Sequence, residues 1–355
     1  MMPRGPIRNL TALLICLAVV GAACSKGSGS SSSTVSLLTY ENSLLPEVIK
    51  PFQDANPDLK LEATTFTSED DAIAKLQGGA TTDVVYACLT DTERLASGGL
   101  VQPIDTSRIT AWNDLFPYYR NSSQISVGSD VYVVPVFGGT TGLIYNPNRL
   151  PGGVSSFKQL IEDPSLAGKV AIEDNPKYGI AMGALALGYK DPYDLTDADL
   201  GKVKQWYLAN ASHIRAFYTS QSDFSDLYTK GAIVAAFGYK GYDVGLAKKN
   251  VPVAFQPASE GSLTWTCGYA IGGHAQNVDG AYELLNHFLT PESQTAYATV
   301  LNQMPTNQKA LESMPGSLVA DVGLSDPSQL ESSIPTQIPA NYDRWQQVWQ
   351  QITSA

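Results

Sequence analysis

The sequence predicts an α/β chain of two lobes joined by two interlobe crossings, and three observations point there. From Val35 onward short apolar strands alternate with helical stretches, a pattern that favours parallel sheets with helical covers. The same alternation starts again beyond Asn146. Between the two runs stands the β-rich segment Val131 to Asn146, and a second one, Leu263 to Ile271, leads back. With 355 residues, 43% of them hydrophobic and 16% charged, the chain holds more apolar mass than one core normally takes, so two lobes are expected.

The N-terminus carries Arg4 and Arg8, then the apolar run Leu10 to Val20, then Gly21-Ala22-Ala23 before Cys24. That order is an export signal, and the run is too short for a membrane span. A cysteine directly after small residues resembles a bacterial lipobox, which implies cleavage before Cys24 and a lipid on its thiol. Gly21 stands where that motif usually has an aliphatic residue. Residues 25–34, nearly all Ser and Gly, read as a flexible tether.

In the first lobe, Val35 to Tyr40 reads as a strand, Pro46 to Asn56 as a helix, and Leu59 to Phe66 as a second strand. Ser68 is placed to cap a helix over Glu69 to Gln77, whose first-turn acids suit the helix dipole. Asp83 to Ala87 is a third strand, and a helix through Glu93 and Leu95 stops at Gly98-Gly99. Ligands in such sheets sit at the carboxyl ends of the strands, here near Tyr40 to Ser43 and Tyr86 to Thr90.

Val131 to Asn146 reads as strand, bend, strand, with Pro135 and the glycines at 138, 139 and 142 supplying the break; a bulged strand within one sheet fits it as well. Beyond it follow a helix Phe157 to Glu162, a strand Lys169 to Glu173, helical stretches around Ile180 to Leu187 and Ala198 to Leu208, a strand Ile214 to Thr219, a helix Asp223 to Lys230, and strands Ile233 to Tyr239 and Val251 to Gln256. Paired helices, Asp279 to Thr290 and Glu292 to Val300, come after the second crossing. At the end, Trp345, Val348, Trp349 and Ile352 form one apolar stripe that should dock. The expected partition is 1–23 signal, 24–34 tether, 35–134 with 268–304 as the first lobe, and 135–267 with 305–355 as the second.

The formal net charge of −11 disfavours nucleic acid, whose phosphates call for a basic surface. The four cysteines, at 16, 24, 88 and 267, include no CxxC pair and no zinc-like spacing, so no metal site is expected. No strand-GxGxxG-helix unit is present, and no cofactor is implied. Tyr118-Tyr119 could hold ferric iron, but aromatic packing is the preferred reading.

The ordered set LLPEVIKPF, TTDVVYA, LVQPIDTSRIT, YVVPVFGGTTGLIYN, SFKQLIEDPSLAGKVAIED, SLTWTCGYAIGG and AYELLNHFLTPESQ followed by MPTN resembles the substrate-binding proteins of ABC importers, in their spermidine/putrescine branch. The resemblance implies a periplasmic-binding-protein-like fold of type II, closing on a small solute between the lobes and presenting it to a membrane permease and its ATPase. Together with the N-terminal signal and tether, which already give an exported, lipid-anchored chain, it leads to the expectation of a monomeric binding protein and no enzyme. In that family acidic side chains hold ammonium groups while aromatic rings stack on the carbon chain. Carried onto this sequence, the aromatic walls fall on Tyr40, Tyr239 and Trp265, the first carboxylate on Asp174, and a further cleft position near Ser43. The family's second carboxylate is replaced by Lys177, another acid by Cys267, and a hydroxyl by Cys88; Asp243 is a candidate replacement acid. Two cysteines at cleft positions of an exported chain favour a Cys88–Cys267 disulfide over two buried thiols. Lys177 also raises a zwitterionic, amino-acid-like solute as the alternative to a polyamine, and an exported enzyme using a cleft carboxylate or thiol as a third reading.

Overall fold

The structure is a computed structural model that describes residues 33–355. The export signal, Cys24 and most of the tether lie outside the described residues. Thr34, expected in the tether, already opens the first strand.

Three parallel strands build the first sheet half: β1 (Thr34–Tyr40), β2 (Lys60–Phe66) and β3 (Val84–Cys88), with β1 in the middle. Their crossovers include helices α1 (Pro46–Ala55) and α2 (Glu69–Gln77). Pro46 sits in the first turn of α1, where no backbone N–H is missed, and Val48 and Phe52 bury its inner face. Ser68 caps α2 by accepting from the Asp71 backbone N–H at 3.2 Å.

The crossing β4 (Val134–Tyr145) is one continuous strand, without the expected bend. Its residues Val134 to Thr140 pair with the second crossing, β8 (Leu263–Gly272), and Thr141 to Tyr145 pair with the second-lobe strand β7 (Ala235–Tyr239). The chain does leave one sheet half for the other, but by changing partners along one strand. The glycines therefore serve close approach rather than bending: a Cβ on Gly139 would lie 2.6 Å from the Trp265 indole nitrogen, and one on Gly142 2.6 Å from the Phe255 ring.

With β5 (Val170–Glu173) and β6 (Ile214–Tyr218), the strand order is β2-β1-β3-β8-β4-β7-β5-β6. β5 runs parallel to both β7 and β6, and β8 runs antiparallel to both β3 and β4. Helix α3 (Pro176–Ala186) leaves the end of β5, and α4 (Lys240–Ala247) leaves the end of β7.

One core gathers Val35, Phe52, Val85, Tyr269 and Phe288. Another gathers Ile172, Ile180 and Phe237 under the C-terminal helix α5 (Tyr342–Thr353), which buries Trp345, Val348, Trp349 and Ile352 as its sequence stripe requires. Each such side chain contributes roughly 1.5–3 kcal/mol on burial. Within residues 305–330, expected with the second lobe, Gly323 lies against Lys240 of α4, and several apolar side chains form a third cluster. Ala310, Val322, Leu324 and Leu330 cover Phe116 and Tyr119, whose apolar surface would otherwise face water. Tyr119 is buried there against Tyr118, whose hydroxyl lies 2.6 Å from the Thr264 hydroxyl. Among the described residues no helix is long and apolar enough to cross a membrane.

Candidate functional site

The carboxyl ends of β1, β3, β5 and β7 converge on the middle of β8, because the two parallel strand sets meet across the antiparallel crossings. A cavity of about 290 Å³ opens there. Its walls include Glu69 and Tyr86 from one side, Lys177 and Tyr178 from the other, and Trp265 with Gln303 at the partition to a neighbouring cavity of about 370 Å³.

Cys88, the last residue of β3, stands directly opposite Cys267 of β8, and the two are joined as a disulfide that forms part of the cavity wall. Tyr86, two residues earlier and so on the same face, is buried and stacks edge-on with Tyr40 at 5.1 Å and Tyr269 at 5.6 Å. Burial pushes the Tyr86 phenol well above its ordinary pKa, so it faces the cavity as a neutral ring.

Glu69 is the first residue of α2, where the helix dipole favours a carboxylate. The Tyr40 phenol is hydrogen-bonded to it, and burial with the nearby Glu69 charge drives that phenol's pKa up. Asp91, buried behind Thr90, is pushed up by burial and pulled down by the Lys177 charge. On the opposite wall, Asn175 caps α3 by accepting from the Lys177 backbone N–H at 3.1 Å, and Asn175, Lys177 and Tyr178 all line the cavity. Glu173, at the end of β5, accepts from the Tyr239 hydroxyl at 2.7 Å. Burial raises its carboxyl to about 7 against the opposing pull of the Tyr239 hydrogen bond and Lys177.

Of the residues singled out from the sequence, Cys88, Lys177, Tyr239, Trp265 and Cys267 line this cavity. Tyr40 stands one layer behind, packed on Phe66 and Tyr86. Ser43 is buried in the turn after β1, away from the cavity wall. Asp174 requires a correction: it is exposed, and its carboxylate accepts from the Trp349 indole N–H at 2.8 Å, held outward by α5. Strand alternation sends Glu173 and Asp174 to opposite sides, and it is Glu173 that turns toward the aromatic wall. Asp243 is not a cavity carboxylate either. It pairs with Lys240 at 2.7 Å within α4, where burial raises its carboxyl. Glu69, Tyr86, Tyr178 and Gln303 were missed. The acids opening α2 were visible but read only as dipole partners, and Tyr86 lay in a segment already flagged as a strand end. Gln303 gave no signal.

The cavity therefore offers a carboxylate, an ammonium group and four aromatic rings at the carboxyl ends of parallel strands, a setting suited to a small polar solute with a carbon chain. Comparison with known proteins agrees. Residues 47–323 match the family of bacterial extracellular solute-binding proteins. The chain is 27% identical over 279 residues to the putrescine-binding periplasmic protein PotF of Escherichia coli (strain K12), covering 73% of this chain and 74% of that one. It is 24% identical over 315 residues to the putrescine-binding periplasmic protein SpuD of Pseudomonas aeruginosa (strain UCBPP-PA14), covering 84% of each. Among solved structures, the spermidine/putrescine ABC transporter substrate-binding protein PotD from Streptococcus pneumoniae strain Canada MDR_19A superposes with a TM-score of 0.80 at 18% identity, over 90% of this chain and 98% of that one. The Tp0655 (TpPotD) lipoprotein of Treponema pallidum does so with a TM-score of 0.75 at 17% identity, over 91% and 100%. With the match spanning most of its length, the chain belongs to the bacterial extracellular solute-binding protein family.

Proposed function

We propose that this chain is the extracytoplasmic solute-binding component of an ABC importer and that it takes a small organic amine, the class to which polyamines belong, into the cavity between Glu69 and the aromatic rings. The observation that carries the reading is Glu69: a half-buried carboxylate on the cavity wall, with Tyr86, Tyr178, Tyr239 and Trp265 around the same space. An ammonium group would pair with Glu69, and the rings would pack on its carbon chain and add cation–π attraction. The names of the relatives, putrescine-binding and spermidine/putrescine-binding proteins, support the same class. Captured solute would be handed to a permease driven by an ATPase, with the binding protein acting as a monomer.

A thermal-shift panel of putrescine, spermidine, agmatine, 4-aminobutanoate, glucose and succinate tests the reading, because a ligand of the folded state alone raises the midpoint. Amines should raise it and the sugar and dicarboxylate should not; a shift confined to the non-amines would refute the proposal.

Export and anchoring complete it: Cys24, following Gly21-Ala22-Ala23 and preceding the Ser/Gly tether, would carry a lipid that holds the protein at the outer face of the cell membrane. Cys24→Ser should move the protein from the membrane fraction into the medium or periplasm. A wild-type protein already found there, starting at an unmodified residue other than Cys24, rules the anchor out.

A further inference from the structure

Hydrogen-bond polarity around the cavity narrows the solute further. Lys177 lines the cavity, and its ammonium group makes no hydrogen bond or ion pair among the described residues. It sits in the first turn of α3, an eleven-residue helix, so the dipole of that helix adds to its positive field. Trp265 lines the same cavity with its ring, while its indole nitrogen is packed against Gly139 and presents no surface to a solute. On the opposite wall stands the half-buried Glu69 carboxylate, which takes the Tyr40 hydrogen bond and still lines the cavity. Opposite charges on the two walls of one cleft call for an occupant that pairs with both.

A diamine cannot do so. Near neutral pH both its amines are protonated and bring only N–H donors, which can satisfy Glu69 but offer Lys177 no acceptor. A second ammonium group would also stand near the Lys177 charge. A solute with an ammonium group at one end and a carboxylate at the other serves both charges: ammonium on Glu69, carboxylate on Lys177.

We infer that Lys177 is the specificity-determining residue of this cleft and that its preferred solute is a short ω-amino carboxylate rather than a diamine. The inference rests on the small-amine reading above and deepens it. Lys177 fills the place that a second solute ammonium would take, so the protein carries one of the two positive charges itself.

Isothermal titration of chain-matched solutes decides it: 4-aminobutanoate against putrescine, and 5-aminopentanoate against cadaverine. The wild-type protein should bind each amino carboxylate at least tenfold more tightly than its diamine partner. Lys177→Met keeps the apolar stem and removes the charge; it should cost the amino carboxylates at least tenfold and leave the diamines unchanged or improved. Lys177→Glu should reverse the preference. Lys177 lies in a partly exposed first turn, and an unchanged melting curve of each unliganded variant establishes that it folds. Tighter binding of the diamines by wild type, or a preference that Lys177→Met leaves untouched, overturns the inference while the amine reading stands. Binding of neither class at millimolar concentration overturns both.

Discussion

The two walls of the cavity are built on the same plan and carry opposite charge. On the first-lobe side a parallel strand, β3, ends at the cavity edge, and the first turn of the nearby helix α2 presents Glu69, hydrogen-bonded by the Tyr40 phenol, to the space. On the second-lobe side β5 also ends at the edge, but its acid, Glu173, is covered by Tyr239, and the first turn of the following helix presents Lys177. The first wall is tied to the crossing strand by the Cys88–Cys267 disulfide; the second is held by hydrogen bonds and packing alone. The difference teaches that a symmetric fold can make an asymmetric site by exchanging which helix-opening residue reaches the cavity.

The largest way to break the contrast is to remove the covalent tie. The two cysteines lie 179 residues apart in sequence, and closing so long a loop restricts the unfolded chain by up to about 5 kcal/mol in the chain-entropy account. The double variant Cys88→Ser, Cys267→Ser should lose a large part of that in denaturant unfolding, and mass analysis after alkylation without reduction should find neither wild-type thiol labelled. Labelling of both would remove the tie.

Next in size is the covered acid. Glu173 holds its proton up to about 7 in the folded state against a usual 4.5, so the folded state binds that proton more tightly than the unfolded chain does. Its contribution therefore declines as pH rises from about 4.5 to about 7, a penalty of roughly 3 kcal/mol that is complete above that window. Glu173→Gln should raise the melting midpoint relative to wild type at pH 8 and leave it nearly unchanged at pH 4. An equal difference at both pH values would show that the carboxyl is not held protonated by burial.

Smaller still is the partition. Trp265→Ala removes an aromatic surface shared by both cavities and should weaken solute binding by about 1–3 kcal/mol, measured by titration. Wild-type affinity in that variant would place the solute away from the partition.

Much of this was legible in the sequence. Strand and helix alternation, the cap at Ser68 and the apolar stripe of α5 were all local signals, and each became the expected element because local pattern and tertiary packing agree there. The crossing β4 was found, but its glycines were misread: a strand glycine signals a bend or a close neighbour, and only the position of Trp265 and Phe255 decides which. The site was half legible. The strand ends marked the stretch Tyr86 to Thr90, which holds Cys88, while Tyr239 and Trp265 were marked only by the resemblance to the polyamine-binding branch. The choice between Glu173 and Asp174 hung on one step of alternation, and that step is fixed by the Trp349 indole, 175 residues further along the chain. Glu69 was hidden for a similar reason. A helix-opening acid looks the same in sequence whether it faces solvent or a cavity.

That pair of acids supplies the most direct test of the account. Glu69→Gln and Asp174→Asn each remove one carboxylate charge and nearly preserve shape, and the two can be titrated with whichever amine raises the wild-type melting midpoint most. Glu69→Gln should weaken binding by roughly 2–5 kcal/mol, the cost of truncating one side of a desolvated charge pair, while Asp174→Asn, on the outer side of its strand end, should bind like wild type. Wild-type affinity in Glu69→Gln together with a large loss in Asp174→Asn would contradict the account and place the solute on the other side of β5.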